Sequence, residues 1–187
     1  SYNMTRLEGA SMDRSDLTGS LFAKIESARG ASFSSTRLDG ARIIESKLDY
    51  ADFSAASFNS AHLHKVAFDG SSFARATWRG ALFTNALSLR RAWLEGALLT
   101  GIHLGHGLDA AGACLRGASL RGAVAPRSNF VGCQCDGVDL SDAELSVSDW
   151  YKATVHRALF RRATLVGASF EHAIGMETAD FTDAVRA

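Results

Sequence analysis

Residues 51–65 read Ala51-Asp52-Phe53-Ser54-Ala55, Ala56-Ser57-Phe58-Asn59-Ser60, Ala61-His62-Leu63-His64-Lys65. A small residue, a variable polar one and a large apolar one recur every five positions, and the period extends in both directions from here. Taking the large residue as the centre, centres fall at 7, 12, 17 and 22, every five residues from 33 to 83, at 89, 94, 99 and 104, every five from 115 to 170, and at 181. All 11 Phe residues occupy centres, as do Trp78 and Trp150, and only Ala125 and Cys135 fall short of a bulky apolar side chain there. Two positions before the centre, Ala predominates, and none of the charged residues occupies either position.

Strand alternation explains the sorting, because residues two apart point to the same side. The small residue and the centre point inward, and the residues flanking the centre point outward. Five is odd, so a straight strand would reverse its inward face at each repeat. A corner must therefore restore the phase once per repeat. Twelve of the 17 Gly residues stand two positions after a centre, where a positive φ is cheapest without a Cβ. The other five, Gly30, Gly105, Gly107, Gly112 and Gly175, lie where the period breaks.

These residues resemble the pentapeptide-repeat family, with its motif A-[D/N]-L-x-x and Leu or Phe at the centre. The resemblance covers nearly the whole chain. It implies an all-β fold, a right-handed quadrilateral parallel β-helix in which four pentapeptides close each coil. At 20 residues per coil, residues 1–187 form a single solenoid domain of about nine coils. Its interior is expected to hold stacked ladders built on Phe33, Phe53, Phe73, Trp78, Phe130, Trp150, Phe160 and Phe170.

The register slips by one residue at four places: Ala23 to Gly30, Thr84 to Ser88, Gly105 to Ala113 and Glu171 to Asp180. The third has no recognisable centre, so a short loop or bulge is expected near 105–113, including His106 and Asp109. A tolerated insertion is the competing reading.

Composition excludes several classes. Twenty Lys+Arg balance 20 Asp+Glu, and the longest uncharged stretch, Gly96 to Leu108, is too short for a membrane-spanning helix. Cys133 and Cys135 are inward positions and read as packing residues rather than a metal or redox pair, while Cys114 reads as outward and isolated. His62 and His64 share a wall with His103 two coils away, too far to share a zinc ion. No phosphate loop, nucleophile elbow or paired carboxylates occur, so no enzyme, cofactor or metal site is expected. Three cysteines and no leader at Ser1 suggest a reducing, cytoplasmic setting in a bacterium, with a secreted effector as the alternative.

The remaining signals are surface ones. Lys65 to Arg127 carries eight bases against three acids, whereas Asp136, Asp139, Asp142, Glu144 and Asp149 form an acidic band with no base between them. Trp93 breaks the inside rule, standing just before its centre beside Arg90 and Arg91, with Leu98 on the next wall. Either it marks a partner-binding patch or the register slips locally and Trp93 belongs to the core.

The expected function is a non-enzymatic scaffold that binds a protein partner through its outer walls. The partner-binding residues are Arg90, Arg91, Trp93, Leu98, His106 and Asp109. The resemblance offers an alternative, a DNA-mimicking modulator of bacterial gyrase, which requires a broadly negative face; stacked Asp39, Asp49, Asp52 and Asp69 are the candidates. It also implies a homodimer through the C-terminal coil. Direct nucleic-acid binding ranks third, because the basic belt is interrupted by acids.

Overall fold

The computed structural model describes residues 1–85, 87–104 and 107–186. Its regular strands are β1 (Tyr2–Asn3), β2 (Leu21–Ala23), β3 (Arg42–Ile44), β4 (His62–His64), β5 (Leu82–Phe83), β6 (Leu87–Ser88) and β7 (Leu108–Asp109). β1 to β5 form one five-stranded parallel sheet in chain order, and β6 pairs with β7 in a second. There is no helix among the described residues. The regular sheet thus marks five turns of the solenoid where nine coils were expected. Beyond it, the wall continues as single bridges from Leu82 to His103, Val124, Glu144, Thr164 and Val185.

The bridges fall into four ladders, one per wall. The first contains β1 to β5. The second passes through Lys47, Ala67, Ser88, Asp109, Asn129 and Asp149; the third through Ser32, Asp52, Ser72, Trp93, Cys114 and Gln134; the fourth through Arg37, Ser57, Thr77, Leu98, Ser119 and Asp139. Partners are 20 residues apart on undisturbed coils. The offset rises to 21 where an extra residue intervenes, as in Arg6 to Ser27, Ala67 to Ser88 and Leu159 to Asp180. The four slips in the sequence therefore appear as offsets of 21, and the ladders of the described residues continue past each of them.

Among the described residues, most corners are made by a residue in the left-handed region. Glycine holds many of these positions, but Tyr50 (φ 57°), Ala55 (φ 56°), Arg75 (φ 59°) and Arg91 (φ 55°) adopt the same backbone. Such residues cost about 1 kcal/mol each, and the stacked hydrogen bonds on both sides hold them there. Ala28 and Ala110 prove to be buried centres, which puts Gly30 and Gly112 at ordinary corners. The loop expected near 105–113 correspondingly narrows. Leu108 and Ala110 are buried, β7 pairs with β6, and the turn residue Gly112 has a φ of 65°. Gly105 and His106 lie outside the described residues.

The core holds aromatic stacks toward each end of the rod, joined by centres that are mainly leucine between Phe83 and Phe130. Phe33, Phe53 and Phe73 lie face to face with centroids 4.8 and 5.1 Å apart, and Phe58 stacks on Trp78 at 4.4 Å. Phe130 lies 4.0 Å from Trp150. Phe33, Phe53, Phe73, Trp78, Phe130, Trp150 and Phe160 are all fully buried. Phe170 is only partly buried, because fewer coils lie above it to cover it.

Two cysteine expectations are corrected. Cys133 and Cys135 are buried as expected, but they are joined by a disulfide rather than packed as thiols. The two inward side chains flank Gln134 on the third wall, with Cα atoms 5.7 Å apart, within the usual disulfide range. Cys114 belongs to the outward ladder between Trp93 and Gln134, yet it is 3% exposed.

Replacing Phe53 with Ala is expected to cost about 3 to 5 kcal/mol, since it opens a cavity in the middle of a stack. Urea denaturation checks this, and a negligible change would refute the register.

Candidate functional site

The walls offer outward side chains at two positions per repeat, immediately before and after the centre. The N–H of the residue after the centre is commonly taken by a side chain rather than by the backbone. In one arrangement the acceptor stands before the same centre: Asp52 accepts from the Ser54 N–H at 2.8 Å, Asp139 from Ser141 at 2.9 Å, Glu144 from Ser146 at 3.0 Å and Asp149 from Tyr151 at 2.9 Å. In the other it stands one coil away: Asp39 accepts from Asn59 at 2.9 Å, Asp49 from Asp69 at 2.7 Å and Asp136 from His156 at 3.1 Å. An unmet backbone donor is costly, so these carboxylates are part of the fold.

This use of acids bears on the two acidic regions. Asp136 is on the third wall, Asp139 on the fourth, Glu144 on the first and Asp149 on the second, so the band rings the rod. Asp142 stands at the corner between, where Arg162 grips it with two hydrogen bonds of 2.6 and 2.9 Å and Arg121 approaches to 3.0 Å. The Arg162 hydrogen bonds hold the Asp142 carboxyl below the usual range. The acidic face expected from Asp39, Asp49, Asp52 and Asp69 does not form. Asp52 is a rung of the third ladder, Asp39 bonds the side chain of Ser57 on the fourth, and Asp69 bonds that of Ser88 on the second, with Asp49 stacked next to Asp69. Burial raises the Asp49 carboxyl above its ordinary range.

Trp93 is an outward residue of the third wall and is 52% exposed, in contrast to Trp78 and Trp150, both at 0%. The register at the slip is therefore the one in which Trp93 points to solvent. Arg90 and Arg91 precede it at the corner, and Arg90 lies 3.8 Å from Asp109. Leu98 is also exposed, at 38%, but it is on the fourth wall, around a corner from Trp93. The structure thus groups Arg90, Arg91, Trp93 and Asp109 and sets Leu98 apart.

Two further arginines join this wall from neighbouring coils. The Arg75 stem runs along Gly96, with its Cγ 3.6 Å from where a Cβ on that glycine would stand. Arg91 lies in the same way along Gly112, at 3.5 Å. Arg116 is stacked beside Gly96, whose N–H donates to the Arg116 carbonyl at 3.0 Å. Their place at the site was not evident from the sequence, because the coil offset of 20 or 21 residues creates the proximity. The same holds for Tyr50, which is 53% exposed, lies over Gly70 and carries the Arg29 guanidinium 4.6 Å above its ring.

Other chemistry is sparse. His62, Leu82 and His103 are successive rungs of the first ladder, and no group of three or more potential metal ligands occurs among the described residues. No helix there is long and apolar enough to cross a membrane.

A family model described as Pentapeptide repeats (8 copies) matches residues 36–73, 61–101, 107–142 and 139–174. Among solved structures, HetL, a pentapeptide repeat protein involved in heterocyst differentiation regulation from the cyanobacterium Nostoc, is 23% identical. The alignment covers 100% of this chain and 91% of that one, with a TM-score of 0.40. A trypsin-treated form of QnrB1, a plasmid-mediated fluoroquinolone resistance protein, is 18% identical over 90% of each chain, with a TM-score of 0.54. No curated protein sequence matches this chain.

Two outcomes are expected. Acrylamide should quench the native fluorescence of Trp93 selectively, and Trp93→Phe should leave only emission shielded from quencher. At the C-terminal end, bonds from Thr182 and then Arg161 lower the Asp180 carboxyl to about 2. A depressed folded pKa gives stability that is present above the unfolded value and is lost as pH falls toward about 2. Asp180→Asn should therefore flatten that part of the acid-denaturation curve.

Proposed function

The chain belongs to the pentapeptide-repeat family, and on that premise we propose that it is a non-enzymatic scaffold whose third wall binds a protein partner. The observation that carries this reading is the half-exposed Trp93 beside Arg90 and Arg91 on a stacked, rigid wall, while the other two tryptophans are fully buried. Trp and Arg dominate binding hot spots because they combine large contact area with directed polar groups. Asp109 belongs to the patch through Arg90. Leu98 extends it only for a partner that wraps onto the fourth wall. His106, outside the described residues, is retained as a candidate contact from the sequence.

The sparse cysteines favour a cytoplasmic bacterial setting, while the Cys133–Cys135 disulfide favours the alternative, a secreted effector in an oxidising one. A homodimer through the C-terminal coil is compatible with it, because the partly buried Phe170 and Phe181 there retain surface for a second copy.

A second reading, modulation of DNA gyrase by a DNA-like rod, draws on the fold shared with a fluoroquinolone resistance protein. The distribution of carboxylates over four walls, with many bound to backbone N–H groups, weighs against it. A supercoiling assay with and without a quinolone tests that reading directly.

The wall reading is tested by affinity capture with wild-type protein and Trp93→Ala as parallel baits. A protein retained by the first and lost from the second is expected, with thermal stability nearly unchanged because Trp93 is outside the core. Identical captures would overturn the assignment of the wall, and a large loss of stability would place Trp93 among the core residues.

A further inference from the structure

We infer that the Trp93 wall recognises an acidic protein segment that carries one apolar anchor residue; the inference rests on the wall-binding reading and specifies its partner. Arg75, Arg91 and Arg116 are exposed, and none has a carboxylate within ion-pairing distance among the described residues. Arg75 and Arg91 occupy corner positions at the two opposite edges of the third wall, on the coil before Trp93 and on its own coil. Each stem lies along a corner glycine of the next coil, Gly96 for Arg75 and Gly112 for Arg91. Each stem thus packs within van der Waals reach of a corner glycine, which sets the arginine along the rod. Arg116 completes the set from the coil beyond Trp93, two rungs being about 10 Å at the spacing of stacked strands.

The floor beneath this frame is flat. On one side of Trp93 its ladder continues through Ser72, and Ala74 occupies the neighbouring outward position. An extended chain can lie on this shelf with an apolar side chain against the indole face. Carboxylates on either side of that anchor then face Arg75, Arg91 and Arg116, whose planar guanidinium groups suit bidentate pairing.

The charge pattern favours a peptide over a nucleic acid. Glu95 lies within the frame, Asp52 is two rungs from Trp93 in one direction, and Asp136 lies beyond it in the other. A polyanion tracking along the rod would meet all three acids, whereas a short acidic segment around a central anchor stays between Asp52 and Asp136 and meets only Glu95, against the three arginines.

The test uses the full chain and a fluorescein-labelled peptide in which Glu alternates with Ser around one central Leu. Its Gln counterpart and a single-stranded oligodeoxynucleotide of equal net charge serve as controls. Binding of the Glu peptide should blue-shift Trp93 emission and weaken with added salt. Affinity should fall at least about tenfold in Arg75→Glu/Arg91→Glu, with circular dichroism and melting matched to wild type. Arg75→Gln/Arg91→Gln provides the same comparison with less repulsion if the reversal variant fails to fold.

No binding, equal binding of the Gln peptide, affinity unaffected by the arginine substitutions, or tighter binding of the oligonucleotide would each overturn the inference. A Trp93-dependent protein recovered by affinity capture alongside failure of the acidic peptide would remove the acidic class and leave the wall reading standing. Capture that is independent of Trp93 would remove both.

Discussion

The left-handed corner is the constraint on which the rest of the solenoid depends. A five-residue repeat reverses the inward side unless the backbone turns once per repeat, and that turn requires a positive φ two residues after each centre. Glycine meets the requirement without strain, but residues such as Tyr50, Arg75 and Arg91 meet it too, held by parallel hydrogen bonds to the coils on both sides. Corner identity is consequently free to vary. A bare glycine beside a large corner residue can provide the space in which that side chain lies, as Gly70 does for Tyr50.

The same geometry divides the charged residues into two groups. Many acids are engaged with the N–H following a centre, either on their own repeat or one coil away, and so contribute to coil stacking. Several arginines of the central coils have no such duty and remain exposed. A neutral chain therefore presents a basic, aromatic-centred wall. Net charge alone conceals this, since it counts a carboxylate bonded to backbone equally with one free in solvent.

Much of the fold is legible in the sequence because each inward position is specified locally. The Phe centres, the Ala positions and the glycine corners all follow from a period of five, and the four slips appear as offsets of 21 in the ladders. Ala28 and Ala110 are not legible as centres, because a small residue is indistinguishable from the inward alanines two positions before a centre. The Cys133–Cys135 disulfide was also hidden: the repeat places both residues inside but does not distinguish packed thiols from a bond. The burial of Cys114 depends on its neighbours along the wall rather than on its own repeat.

The outward placement of Trp93 beside Arg90 and Arg91 was likewise visible from position in the repeat. The frame around it was not, because Arg75, Trp93 and Arg116 are separated by about a coil each and meet only when coils stack. The sequence by itself determined which side chains face in, which face out and where the chain turns, since these follow from the conformations of adjacent residues. The tertiary structure alone decided which outward side chains stand next to one another and which charges are already engaged, because those depend on the offset between coils and on hydrogen bonds across it.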